Sequence, residues 1–183
     1  MQEQKPGKLN IIVAVYGLKT VTDDIINLII DGSPQILHFI VNNKVIGKDG
    51  WRGQKKTITV VYNYDGGELC VAAAREGDML TITPEIPKQV KLPATTTSTG
   101  NEKLSVLAAT YGPDDVTYKV RNMISSYNTL SFAVDNTIFG ESWYGVAKTL
   151  VIILGSFNEI KAVEIFTERE TCYLDLNDVI PVL

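Results

Sequence analysis

Apolar and polar residues alternate along several short segments of the chain, and this pattern predicts β-strands with one face turned inward. The alternation is clearest at residues 37–41 and at residues 130–134. Two continuous apolar runs, at residues 9–16 and 104–111, are rich in β-branched side chains, and each is followed by a glycine. Such runs predict strands that are buried on both faces.

Three further strand patterns follow in each half of the chain. They lie at residues 57–62, 68–75 and 79–83 in the first half, and at residues 149–154, 161–167 and 172–176 in the second. Residues 149–154 are apolar on both faces, which predicts a central position in a sheet. Asp65-Gly66-Gly67 predicts a tight hairpin turn.

Between the first two strands of each half, apolar residues recur at a spacing closer to 3.6 than to 2. They are Ile25, Leu28 and Ile29 in the first half, and Val120, Met123 and Ile124 in the second. We predict a short helix at both places, with an irregular strand as the alternative. Thr22 and Thr117 precede these segments and are predicted to be N-caps, because a threonine oxygen can accept a hydrogen bond from the exposed amides.

The two halves are copies of one unit. Leu37 to Thr57 and Leu130 to Thr149 align with a one-residue gap and share nine identical residues: Leu, Phe, Val, Asn, Gly, Trp, Gly, Lys and Thr. Both tryptophans of the protein occupy equivalent places in this motif. A duplication of this kind indicates one structural unit that occurs twice in the chain.

The sequence therefore predicts a mainly β protein with two tandem β-sandwich-like repeats, each of about five strands and a short helix. We assign residues 1–8 to an N-terminal tail, 9–83 to repeat 1, 84–103 to a linker rich in Pro and Thr, and 104–183 to repeat 2. Proline fixes φ and lacks a donor, so the linker is expected to be extended. The alternative is one composite sandwich, resembling a βγ-crystallin, built from both copies.

Composition narrows the class of partner. Of 183 residues, 45% are apolar and 21% charged, and the net charge is −4 without any cluster of Lys and Arg. We therefore expect no nucleic-acid partner, since phosphate neutralisation needs clustered cations. No apolar run approaches the roughly 20 residues of a membrane span, and residues 1–8 have no apolar core typical of a signal peptide.

The cysteines indicate a compartment. Cys70 and Cys172 do not occupy equivalent positions in the two repeats, so a duplicated disulfide is excluded. We expect two buried free thiols and a cytoplasmic protein. Release from the cell by a route that needs no signal peptide is the alternative.

Residues that usually carry catalysis are scarce. His38 is the only histidine, and neither cysteine belongs to a Cys-x-x-Cys pair. No glycine-rich phosphate loop or nucleophile elbow is present. The pairs Asp23-Asp24 and Asp114-Asp115 are interpreted as charges at helix N-termini rather than calcium ligands. We expect no enzymatic activity, no cofactor and no metal.

The tryptophan loops are the remaining candidate for function. The proposed ligand-binding residues are Asn43, Trp51, Arg52, Asn136, Trp143 and Tyr144. In one interpretation each Trp only packs against the end of its own sandwich. In the other, the aromatic plane stacks on a ligand while polar side chains supply hydrogen bonds, an arrangement that suits sugar rings.

Two functions follow from these interpretations. The first is a lectin-like protein that binds carbohydrate, or a protein partner, bivalently through its two loops. The alternative is a self-assembling scaffold that forms homo-oligomers, because β units expose strand edges.

Short pieces of both repeats resemble a known domain. In the first copy they are Tyr16-Gly17, Val21-Thr22, Lys56, Ile58, Val60, Tyr62, Gly67 and Leu80; in the second they are Tyr111-Gly112, Asp115-Val116-Thr117, Lys148, Leu150, Ile152 and Leu174. This pattern resembles the C-terminal domain of mitochondrial DnaJ-type co-chaperones of subfamily C. The resemblance implies the domain type alone, since His38 is not followed by Pro-Asp and no J domain is present.

Overall fold

The structure, a computed structural model, describes residues 7–85, 104–156 and 159–177. The chain divides into two compact units, Met1–Lys91 and Leu92–Leu183, which we call unit 1 and unit 2. The mainly β fold class is confirmed, with 47% strand and 13% helix arranged in antiparallel, sandwich-like sheets. Most of the predicted tail (1–8), most of the predicted linker (84–103) and the last residues of repeat 2 lie outside the described residues.

Unit 1 consists of seven strands and two short helices in its described part. The elements are β1 (Leu9–Tyr16), β2 (Lys19–Thr20), α1 (Thr22–Ile26), β3 (Ile29–Ile30), β4 (Ile36–Ile40), α2 (Asn43–Ile46), β5 (Thr57–Tyr64), β6 (Cys70–Arg75) and β7 (Met79–Ile82). The strands form a four-stranded sheet, β2-β1-β5-β6, and a three-stranded sheet, β3-β4-β7. Every pairing is antiparallel.

Unit 2 repeats this plan within residues 104–156 and 159–177. The elements are β8 (Ser105–Tyr111), β9 (Asp114–Asp115), α3 (Thr117–Asn122), β10 (Thr129–Ala133), α4 (Asn136–Phe139), β11 (Thr149–Ser156), β12 (Glu159–Thr167) and β13 (Thr171–Asp175). One sheet has the order β12-β11-β8-β9 and the other pairs β10 with β13. The predicted central position of residues 149–154 is confirmed, because β11 has a neighbour on each side and is buried along its whole length.

Each unit has a hydrophobic core of its own between its larger and smaller sheets. In unit 1, alternate residues of β5 such as Ile58 and Val60 meet Leu37 and Phe39 of β4. In unit 2, Phe132 of β10 lies in the corresponding core, 9% exposed. The alternation that predicted these strands therefore also identified the inward face correctly.

A short helix forms at both predicted places, but it contains only the first of the three periodic apolar residues, Ile25 or Val120, and Ile29 lies in β3 instead. The predicted N-caps are wrong. The N-cap positions are Val21 and Val116, without a side-chain cap, and each helix begins at the threonine itself. The threonine oxygens accept instead from the strand that precedes the helix, Thr22 from the amide of Ala14 at 3.1 Å and Thr117 from the amide of Ala109 at 2.9 Å. Each threonine oxygen therefore accepts from an amide of the long strand, β1 or β8, and not from an amide at the start of its own helix.

Some elements carry too little pattern to be predicted. The two-residue strands β2, β3 and β9 are too short to show alternation, and α2 and α4 occupy what was predicted as loop. The side chain of Asn42 caps α2 by accepting from the amide of Val45 at 2.8 Å, and Asp135 caps α4 in the same way. An Asn or Asp directly before a short segment with apolar residues is the sequence signal from which α2 and α4 could have been predicted.

The two acidic pairs have different surroundings. Asp23 and Asp24 lie in the first turn of α1, as predicted. Asp114–Asp115 instead form β9, so the prediction of helix N-terminal charges is wrong for the second pair. Asp115 still serves the start of α3, because its Oδ1 accepts from the amide of Thr117 at 2.9 Å.

The expected free thiols are confirmed, since Cys70 and Cys172 are both unpaired and buried. Burial raises the pKa of Cys172 to about 12, with a further contribution from the negative charge of Glu164. Glu164 lies on β12 directly opposite Ile152, a core residue of β11, so its carboxylate lies on the core face of the sheet. Burial there raises the pKa of Glu164.

Replacing this carboxylate should stabilise the protein in a pH-dependent way. The folded state resists ionisation of Glu164, while the unfolded chain ionises normally, so the charge lowers stability above the ordinary pKa of a glutamate. We expect Glu164→Gln to raise the melting temperature at pH 7, with a gain that vanishes below about pH 4. Glu159→Gln, at the exposed start of β12, is the control and should change little. An equal gain at both pH values, or none at neutral pH, would contradict this assignment.

Candidate functional site

A buried lysine lies behind the tryptophan loop of unit 1. The side chain of Lys56 is only 2% exposed, yet its amine has three close acceptors. Nζ donates to the carbonyl oxygen of Gln54 at 3.0 Å and to Glu76 Oε2 at 3.1 Å, and lies 3.1 Å from Asp49 Oδ1. The amine has three N–H donors, and these three acceptors match that number.

Unit 2 contains the same arrangement around Lys148, whose side chain is 1% exposed. Its Nζ lies 2.8 Å from Glu141 Oε1 and 3.5 Å from Glu168 Oε2. It also donates to the loop carbonyl oxygens of Val146 at 3.0 Å and Trp143 at 3.4 Å. Each lysine is therefore held by two carboxylates and by the backbone of its own loop.

An aromatic ring completes each lysine site. Lys56 Nζ lies 5.1 Å from the ring centre of Tyr16, and Lys148 Nζ lies 5.7 Å from that of Tyr111, within cation–π range. Burial, reinforced by the neighbouring carboxylates, raises the pKa of both phenols, so they remain neutral hydrogen-bond donors.

Both asparagines proposed as ligand-binding residues belong to this network. The hydroxyl of Tyr16 donates to Asn43 Oδ1 at 3.0 Å, and that of Tyr111 donates to Asn136 Oδ1 at 2.8 Å. Asn136 Nδ2 donates in turn to Glu141 at 2.6 Å and to Glu168 at 3.0 Å. The amides thus connect α2 and α4 to the lysine sites.

The carboxylates beside each lysine also fix the tryptophan backbone. The amide of Trp51 donates to Asp49 Oδ1 at 3.1 Å, and that of Trp143 donates to Glu141 Oε1 at 3.3 Å. Hydrogen bonding from the lysines is the main reason that the pKa values of Asp49 and Glu141 are lowered. These acids remain ionised at neutral pH and hold lysine and loop together.

Two glycines allow the loop of unit 1 to approach the end of β1. The amide of Leu18 donates to the carbonyl oxygen of Gly50 at 3.1 Å. A Cβ atom on Gly50 would clash with the carbonyl oxygen of Tyr16. Gly17 has a φ of 62°, and a Cβ atom there would lie 3.1 Å from side-chain atoms of Lys56 and Trp51, so this position needs both the conformation and the space of a glycine.

The loops expose the residues that follow the tryptophans. Trp51 and Trp143 are half-buried, whereas Arg52 is exposed and Tyr144 is 91% exposed. The structure therefore brings each Trp, its following residue and the Asn-bearing helix to one end of its unit, with Asn43 and Asn136 behind the loop surface.

The lysine network was not predicted from the sequence, although signals for it were present. The Tyr-Gly at the end of the first strand and the Lys-Thr at the start of β5 and β11 occur in both copies. In each copy a glutamate, Glu76 or Glu168, also follows the lysine by twenty positions. When a lysine precedes a fully buried strand in both copies, its charge is expected to be paired with an acidic residue inside the fold.

In the part of the chain that the structure describes, no group of three or more His, Cys, Asp and Glu side chains could hold a metal ion. Within the same residues, no helix is long and apolar enough to cross a membrane. No known family model, curated protein or solved structure matches the chain. The resemblance to the co-chaperone domain therefore stays a prediction.

Removing one lysine should destabilise its unit far more than removing its neighbour. Lys56→Met leaves Asp49 and Glu76 without their cation and should lower the free energy of unfolding by about 1–3 kcal/mol, the range for lost hydrogen bonds to charged groups, because both carboxylates remain partly solvated. Lys55→Met is the matched control, because Lys55 is exposed and adjacent, and it should change stability by less than about 0.5 kcal/mol. Urea unfolding monitored by tryptophan fluorescence measures both. Equal stability of the two variants would show that the network does not stabilise the fold.

Proposed function

We propose that the chain is a non-enzymatic binding protein whose binding surfaces are the tryptophan loops of its two units, with glycans as the ligand class. One observation carries the proposal: each loop is fixed from behind by a buried lysine while the side chain after the Trp projects into solvent. A core-packing role explains the half-buried Trp but gives no reason for an outward Arg52 or Tyr144.

The fixed backbone favours binding for a physical reason. A loop already held in one conformation loses little conformational entropy when a ligand arrives. An aromatic ring offers a face for the apolar side of a sugar, and the adjacent polar groups can bond to its hydroxyls. The acceptor groups of the lysine network remain engaged with the protein, which leaves recognition to the exposed loop side chains.

Two loops in one chain allow bivalent binding. When a second site is linked to the first, it meets its ligand at a high effective concentration, and avidity rises without any new contact. We place this function in the cytoplasm on the evidence of the two free thiols, which are typical of a reducing compartment.

A self-associating scaffold is the second candidate function. The observation that favours it is a difference in charge: the loop end of unit 1 carries the exposed cations Lys19, Lys44, Arg52 and Lys55, whereas unit 2 has no cation at the equivalent positions and has Asp114 in place of Lys19. A glycan-binding pair of loops has no need of this difference.

Substitution of the exposed loop residues tests the glycan proposal. Arg52→Ala and Tyr144→Ala should leave the melting temperature unchanged, because neither side chain is buried. On an array of neutral and acidic glycans, each should weaken binding to the glycans that the parent retains. The double variant should lose more than either single variant, since avidity is lost as well.

Suitable controls lie at the other end of unit 2. Tyr127→Ala removes a ring that is 83% exposed, and Lys161→Ala removes a cation from β12. Both should bind like the parent. If the parent retains no glycan, or if the Arg52 and Tyr144 variants bind as the parent does, the loops are not a glycan site.

A further inference from the structure

The loop end of unit 1 is cationic. Its exposed cations are Lys19 in β2, Lys44 in α2, and Arg52 and Lys55 in the tryptophan loop. We call these four residues the cationic end. Lys48 is not included, because it forms an ion pair with Asp24 at 2.7 Å.

These elements come together around the loop. The β1–β2 turn contacts it through the hydrogen bond from the Leu18 amide to the Gly50 carbonyl oxygen. The positive charge of Lys19 also contributes to the lowered pKa of Asp49, the acid that binds the Trp51 amide. Lys19 therefore belongs to the same surface as the loop cations.

Unit 2 has no cation at any of the four equivalent positions. In the same order as the cationic end, the equivalent residues are Asp114, Thr137, Tyr144 and Ala147. Asp115 adds a second exposed carboxylate in β9. We call Asp114 and Asp115 the acidic end. Glu141, in the loop, is not included, because it forms an ion pair with Lys148 at 2.8 Å. A Cβ atom on Gly112, in the β8–β9 turn, would lie 3.2 Å from the Lys148 side chain and 3.5 Å from Ser142 Oγ, so this turn lies beside the loop.

We propose that the cationic end of one copy of the chain binds the acidic end of another, so that copies associate head to tail. The occupant of each surface is a second copy because the complementary surface is present on every molecule. The loop end of unit 1 carries four exposed cations, whereas the equivalent end of unit 2 lacks all four and carries the exposed carboxylates of Asp114 and Asp115, so the two surfaces are complementary in charge. A contact between two different surfaces of identical chains is heterologous and produces rings or open chains.

The contact is electrostatic and therefore salt-sensitive. Individual pairs of exposed charges contribute little, and they are screened over about 8 Å at physiological ionic strength. Several charges acting together mainly raise the association rate and select the partner surface. Association should therefore grow with protein concentration at low salt and disappear at about 0.5 M NaCl, where screening is short-ranged.

This inference does not rest on glycan binding, and the mass measurements that test it contain no glycan. Two charge variants are needed. The first is Arg52→Glu with Lys55→Glu, which makes the cationic end negative. The second is Asp114→Lys with Asp115→Asn, which removes the negative charge of β9 and keeps a side-chain acceptor for the Thr117 amide.

Light scattering after size-exclusion chromatography then gives the mass of each sample. We expect the parent to assemble at low salt and each variant alone to remain a monomer. An equimolar mixture of the two variants should assemble again, because each supplies the surface that the other has lost. Recovery in the mixture also shows that both variants are folded.

Two results would overturn the proposal. The first is a parent that remains a monomer at low salt and high concentration. The second is a parent that assembles while the mixture of the two variants does not. If the parent is a monomer and binds a heparin column through Arg52 and Lys55, the occupant of the cationic end is an acidic polysaccharide instead.

Discussion

The ion pairs of two buried lysines organise the loop end of each unit. A buried ammonium group is costly unless it is paired and hydrogen-bonded, and Lys56 and Lys148 meet this requirement with two carboxylates and loop carbonyl oxygens each. The same carboxylates accept from the tryptophan amides. The position of each loop is therefore coupled to the burial of one charge, and neither can change alone.

The duplication shows which parts of this arrangement are structural and which are free to differ. Four residues of the network are the same in both copies: the buried lysine, the tyrosine beside it, the asparagine that accepts from that tyrosine, and the glutamate that follows β6 or β12. The acid that binds the Trp amide differs, being Asp49 in one copy and Glu141 in the other, but it keeps its charge. The exposed positions keep neither the residue type nor the charge, as Arg52 in unit 1 and the equivalent Tyr144 in unit 2 show. Inner residues of the motif thus fix the loop, and outer residues give each unit its own surface chemistry.

The sequence predicted the fold to the extent that hydrophobic patterning determines it. The long strands and their inward faces follow from periodicity, because every second residue of such a strand is buried, as Phe39 is in β4 and Phe132 in β10. The places of α1 and α3 were predicted, but only Ile25 and Val120 of the periodic residues lie in them. Two-residue strands and four-residue helices are too short to show periodicity. The role of Thr22 and Thr117 was misassigned because the nearby strand amide is a partner that only the tertiary structure supplies.

The candidate site was predicted in part. Trp51, Arg52, Trp143 and Tyr144 were identified from the repeated loop, whereas Lys56 and Lys148 were noted only as identical residues. The burial of a lysine cannot be derived from local sequence, since its carboxylate partners come from a distant strand end and from the loop. The pairing depends on the register of β5 with β6 and of β11 with β12.

Amide hydrogen exchange in Lys56→Met tests most directly whether the buried lysine holds the loop. We expect the Trp51 amide to lose its protection in this variant while the amides of the β5 core remain protected. The Trp143 amide, whose own lysine is intact, should exchange as slowly as in the parent and provides the internal reference. Equal protection of the Trp51 amide with and without Lys56 would contradict the account, because the loop would then be fixed by other contacts.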